Sequence, residues 1–93
     1  MCMIEVGRVV IKIAGRDARG VGAIVKVLDD NFVLIDGALR RKKVNIKHIE
    51  LLPHKINIKE EASKKEVLDE LKKLNLITEE EYEYWVNKEN KEN

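Results

Sequence analysis

Four consecutive cations, Arg40-Arg41-Lys42-Lys43, followed closely by Asn45, Lys47 and His48, are the residues of this chain best suited to chemistry. That chemistry is the neutralisation of phosphate, because adjacent like charges repel one another unless counterions or bound anions quench them. On a β-strand, alternation puts Arg41, Lys43, Asn45 and Lys47 on one side and Val44 and Ile46 on the other. Two residues of rise space the polar set at roughly 6.8 Å, so successive cations can each meet a phosphate along a nucleic-acid backbone. His48 closes the run, placed to bond a phosphate or a ribose hydroxyl. Upstream, Arg16 and Arg19 lie in a glycine-rich stretch and Arg8 and Lys12 fall on the polar phase of an earlier strand. They extend the same surface, and N–H groups around Gly15, Gly20 and Gly22 can approach a sugar-phosphate chain closely.

Other chemistries lack their residues. Cys2 is the only cysteine, and His48 and His54 stand without a nearby carboxylate pair, so neither a disulfide nor a metal site is expected. No Ser, Cys or carboxylate stands at a catalytic spacing from either histidine. The chain therefore reads as a non-enzyme with no catalytic residue, no cofactor and no small-molecule substrate. Asp29 and Asp30 are adjacent on a turn and diverge, which suits turn chemistry better than a cation. Phe32 is the only aromatic of the basic half and is expected in the core. Without an exposed aromatic platform there, the expected ligand is a folded RNA read by backbone and shape. No apolar run approaches the roughly 20 residues of a membrane helix, and no signal-type segment opens the chain. A cytoplasmic location without a membrane partner is expected.

The net charge of +1 conceals a division. Residues 1–59 carry 12 Lys/Arg against 6 Asp/Glu, and residues 60–93 carry 6 against 11. A basic module of +6 thus precedes an acidic extension of −5, the two units into which the chain divides.

The elements that must position the cations follow from periodicity. Val9, Ile11 and Ile13 share one alternation phase, with Arg8 and Lys12 on the other, predicting a half-buried first strand in which Gly7 permits a bend or close backbone approach. Residues 14–20 read as a loop. Ala23, Val25 and Val27 alternate with Ile24, Lys26 and Leu28, a second strand with apolar weight on both faces. Asp29-Asp30-Asn31 predicts a tight turn into Phe32-Val33-Leu34-Ile35, and Asp36-Gly37 a hairpin into a fourth strand over residues 41–46. A fifth short strand over residues 49–52 precedes Pro53. Five short strands at this spacing suggest a small barrel closed on itself. Such a barrel is marginal alone.

The acidic extension carries two helix-start signals. Ser63 with Glu66 forms a capping box and Ala62 is placed to meet Val67; Thr78 with Glu81 repeats the box, with Ile77 and Tyr82 as the staple. Val67, Leu68, Leu71 and Leu74 make one apolar stripe, and Tyr82, Trp85 and Val86 a second, so Trp85 and Tyr82 are read as packing residues. The polar residues 88–93 are expected to fray.

These residues also resemble a known pattern. Gly15-Arg16-Asp17-Ala18, Gly22-Ala23-Ile24 and Val27 are similar to the KOW motif of ribosomal proteins and transcription elongation factors, which implies an SH3-like barrel. Arg19 stands where that motif commonly has a second glycine, with Gly20 displaced by one. Ile4-Glu5-Val6-Gly7-Arg8, Asp29-Asp30-Asn31-Phe32-Val33-Leu34 and the stretch from Arg40-Arg41-Lys42-Lys43 through Val44-Asn45-Ile46-Lys47-His48-Ile49-Glu50 together resemble the archaeal and eukaryotic "fourteen-e" family of the large ribosomal subunit. The resemblance covers roughly residues 3–75. It implies a mostly-β fold, an SH3-like barrel followed by two short C-terminal helices, acting as a structural ribosomal protein. Its implied partners are ribosomal RNA, bound through Arg16, Arg40, Arg41, Lys42, Lys43, Asn45, Lys47 and His48, and neighbouring ribosomal proteins. The alternative reading is a KOW-type module that docks on protein in a transcription or translation complex. The acidic extension departs from a typical RNA-binding composition, which implies that its helices face solvent or protein.

Overall fold

The computed structural model describes residues 4–13 and 20–91. Strands β1 (Arg8–Lys12), β2 (Val21–Val27), β3 (Phe32–Gly37), β4 (Leu39–Asn45) and β5 (Ile49–Lys55) precede helices α1 (Lys64–Lys73) and α2 (Glu79–Lys91), and a 3-10 turn at Ile46–His48 joins β4 to β5. The sheet order is β4-β3-β2-β1-β5, with every neighbouring pair antiparallel. The class is the expected one, mostly β with two C-terminal helices. Among the described residues β4 and β5 share no ladder. The sheet instead curls so that Val10, Ile24, Ile35, Val44 and Ile49, drawn from all five strands, meet in one inner core.

The outer face is covered as well. Val9, Ala23 and Val25 pack there against Val67, Leu68 and Leu71 of α1 and against Ile77, with Tyr82, Trp85 and Val86 of α2 at the margin. This second core explains why β2 is apolar on both phases. It also corrects the reading of β1. Val9 and Val10 are consecutive, so they point to opposite faces, yet both are fully buried. Lys12 is 4% exposed and Ile13 is 53% exposed. The single apolar phase expected through Val9, Ile11 and Ile13 gives way to two covered faces, and Ile13 lies past the cover.

Local chemistry fixes the connections. The Asp29 carboxylate accepts from the N–H groups of Asn31 and Phe32 at 2.7 and 2.9 Å, forming the expected turn. Gly7 (φ +94°) donates to the Ile24 carbonyl at 2.8 Å and accepts from the Ile56 N–H at 2.7 Å. A Cβ there would stand 2.4 Å from the Ile56 carbonyl oxygen, so the close approach requires glycine. β5 runs past its expected end, through Pro53. It is an edge strand, and its register with β1 slips between Arg8 and Val10, opposite the proline. Edge strands and bulges are the places where a missing N–H is tolerated.

Ser63 caps α1, and the capping box at Thr78 closes in full. Ser63 Oγ accepts from the Glu66 N–H at 3.3 Å, Thr78 Oγ1 accepts from the Glu81 N–H at 3.1 Å, and the Glu81 carboxylate returns to the Thr78 N–H at 3.2 Å. α1 ends at Asn75, which is left-handed (φ +58°), with Asn75 N–H bound to the Lys72 carbonyl and Leu76 N–H to that of Leu71. That pair of bonds is a Schellman cap. Leu74, at the C-cap, ends the apolar stripe exposed. α2 continues to Lys91, beyond the point where fraying was expected.

Candidate nucleic-acid interface

β4 pairs only with β3, which leaves it as one edge of the sheet. Val33 opposes Val44, Leu34 opposes Lys43 and Ile35 opposes Lys42, but the next pair is Gly37 with Leu39. Arg40 and Arg41 therefore stand together opposite Asp36. Two residues against one is a β-bulge, a device that bends an edge strand and re-aims its side chains. All four cations of the run are exposed.

Their partners separate them. The Arg41 guanidinium, expected to face outward to phosphate, lies 3.0 Å from Asp36 Oδ2 and donates to the Ala62 carbonyl at 2.8 Å. Asp36 is 1% exposed, and its other oxygen accepts from the Gly37 N–H at 2.8 Å and faces Lys64 Nζ at 2.6 Å. Lys64 also donates to the Gly37 and Leu39 carbonyls. Asp36 is thus a buried anchor that ties the β3–β4 corner to the start of α1. The Asp-Gly signal marked the corner, and nothing in the local pattern marked the burial. A buried carboxylate demands compensating charge, and the two cations that supply it come from five and 28 positions away.

Arg40, Lys42 and Lys47 carry no ion pair among the described residues. Lys43 Nζ sits 4.6 Å from the centroid of the Phe32 ring, a contact that leaves its charge uncancelled. Asn45, expected beside these cations, caps the 3-10 turn by accepting from the Lys47 N–H at 2.9 Å. Lys47 and His48 are exposed on that turn. The structure therefore brings Arg40, Lys42, Lys43, Lys47 and His48 onto one continuous edge and turn.

The remaining candidates are placed differently. Arg8 pairs with Glu5 at 3.1 Å and donates to the Leu52 carbonyl at 3.2 Å. Lys12, expected on the open phase of β1, is buried. Arg16 and Arg19 lie outside the described residues. The two ends of their segment are described: the Ile13 N–H donates to the His48 carbonyl at 2.9 Å, and the Lys12 N–H to the Gly20 carbonyl at 3.0 Å. The segment therefore departs and returns beside the basic turn.

A scan against protein-family models finds no match. Relatives are found among curated proteins. Large ribosomal subunit protein eL14 of Methanococcus maripaludis (strain C6) is 49% identical over 67 residues, covering 72% of this chain and 87% of that protein. The protein of the same name from Hyperthermus butylicus is 46% identical over 82 residues, covering 83% and 84%. This chain belongs to the eL14 family. The Pyrobaculum calidifontis member, 44% identical over 80 residues, covers 81% of this chain and 78% of its own length. Membership makes the chain a structural ribosomal protein rather than an enzyme and locates it at the ribosome, as the fourteen-e resemblance implied.

Proposed function

We propose that this chain is a structural constituent of the large ribosomal subunit that binds ribosomal RNA through the β4 edge and the 3-10 turn, with the glycine-rich loop alongside. Arg40, Lys42, Lys43 and Lys47 meet successive backbone phosphates, and His48 supplies a further donor. Cations without an ion pair among the described residues, gathered on one edge, carry this reading. Arg41 holds the bulge from which Arg40 projects. Neighbouring ribosomal proteins are further partners.

Large-subunit ribosomal RNA transcribed in vitro, titrated at several salt concentrations, tests the reading. Log affinity falls against log salt with a slope near 0.7 to 0.9 per phosphate contact. The Arg40→Ala/Lys42→Ala pair lowers that slope by roughly 1.5 and weakens binding to all RNA sequences alike, since phosphate contacts carry no base information. A flat salt response removes the electrostatic premise.

A further inference from the structure

We propose that the face of α2 bearing Tyr84 is a stacking site for an unpaired nucleobase of the RNA held by the β4 edge. The proposal rests on the RNA-binding reading and adds a ligand class to it. The basic half offers no free aromatic face, because Phe32 is partly buried and lies under Lys43. The acidic extension supplies one. Tyr84 is 51% exposed, and its ring stacks on that of Trp85 with centroids 5.2 Å apart and planes 19° from parallel. Trp85 is half-buried against the outer core, so it forms a fixed floor beneath a ring that is open to water.

Lys64 joins this aromatic step to the basic edge. Its ammonium lies 4.7 Å from the Trp85 ring centroid while it holds Asp36 and the Leu39 carbonyl, and Arg41 grips the other oxygen of the same Asp36. Edge, carboxylate, ammonium and rings are thus contiguous. Lys88 stands over both rings, 5.8 Å from Tyr84 and 5.2 Å from Trp85, and makes no ion pair among the described residues. A base on the ring with its phosphate near an ammonium is the combination by which proteins hold unstacked nucleotides.

The carboxylates of α2 do not close the site. Glu79 faces Lys72 at 3.9 Å, and Glu81 is bound to the Thr78 N–H. Glu80, Glu83 and Glu89 remain on the helix, while the charges seated against the rings themselves are the ammoniums of Lys64 and Lys88.

Trp85 is the only tryptophan, so its emission reports directly on the step. Titrating the full chain with transcribed large-subunit RNA should change that emission at the concentrations where binding occurs. Tyr84→Ala should weaken RNA binding by between about 5-fold and 100-fold, the range for losing one stacked base, with the salt slope unchanged, and Tyr84→Phe should restore it. Wild-type RNA affinity in a folded Tyr84→Ala chain overturns the stacking site while leaving the edge reading intact. Loss of binding to ribosomal proteins alone, with RNA affinity unchanged, overturns it as well. If the unsubstituted chain shows no salt-dependent RNA binding, both readings fall together.

Discussion

β4 and α1 each present four cations, and they treat them in opposite ways. On α1 every lysine has a carboxylate: Lys64 faces Asp36, Lys65 faces Asp69 at 3.5 Å, Lys72 faces Glu79 at 3.9 Å and Lys73 faces Glu70 at 2.9 Å. The Asp69 charge raises the pKa of Lys65, and the hydrogen bond that Lys73 donates to Glu70 raises that of Lys73. On β4 Arg41 is paired, whereas Arg40, Lys42 and Lys43 have no ion pair among the described residues. The two elements therefore differ in compensation although each carries four cations. A lysine on α1 is a structural element. A lysine on the edge strand is available to a ligand.

Substitutions test that contrast directly. Asp36→Ala leaves Arg41 and Lys64 with no carboxylate at the buried corner. It should cost about 3 kcal/mol of stability in chemical denaturation followed by circular dichroism, the lower end for breaking a buried pair, because Arg41 retains part of its exposure. By contrast, Arg40→Ala or Lys42→Ala should move stability by less than about 0.5 kcal/mol, although both weaken RNA binding. Equal destabilisation by all three would erase the distinction between paired and free cations. Ser63→Ala removes the cap of α1 and should cost about 1 kcal/mol, with RNA affinity at moderate salt unchanged in the same preparation.

The smallest effect concerns Tyr82, whose hydroxyl donates to Asp69 at 2.5 Å. That hydrogen bond, with burial adding to it, raises the phenol above its ordinary pKa of about 10. The folded chain thus holds the proton more tightly than the unfolded one. The contribution is fully present below about pH 10 and is lost as pH climbs through the raised value. Alkaline denaturation of Tyr82→Phe should lack this component, which a midpoint comparison at pH 8 and pH 11 would reveal.

Features set by near neighbours were legible in the sequence. The Asp29 turn, the caps at Ser63 and Thr78 and the order of five strands and two helices depend on residues a few positions apart. Features set by distant packing were not. The alternation of β1 could not show that helices would cover its second face, so Lys12 and Ile13 were read in exchanged places. The bulge at Arg40 and Arg41 is invisible in a pattern of four cations, and Asp36 acquires its role from Arg41 and the distant Lys64 together. Within the candidate site, the charged edge was readable because charge is a property of composition. Which arginine would be held within the chain, and that Trp85 would stand beside Lys64, depend on how the helices dock.

Pro53 gives the sheet a further property. Of the two edge strands, β5 carries a residue with no N–H to offer a visiting strand, and β4 carries a row of like charges that another copy of the same edge would meet head-on. Both devices discourage strand-to-strand aggregation. Copies of the chain are thereby kept apart from one another, and on β4 the protection comes from the same lysines and arginine to which the proposed RNA contact is assigned.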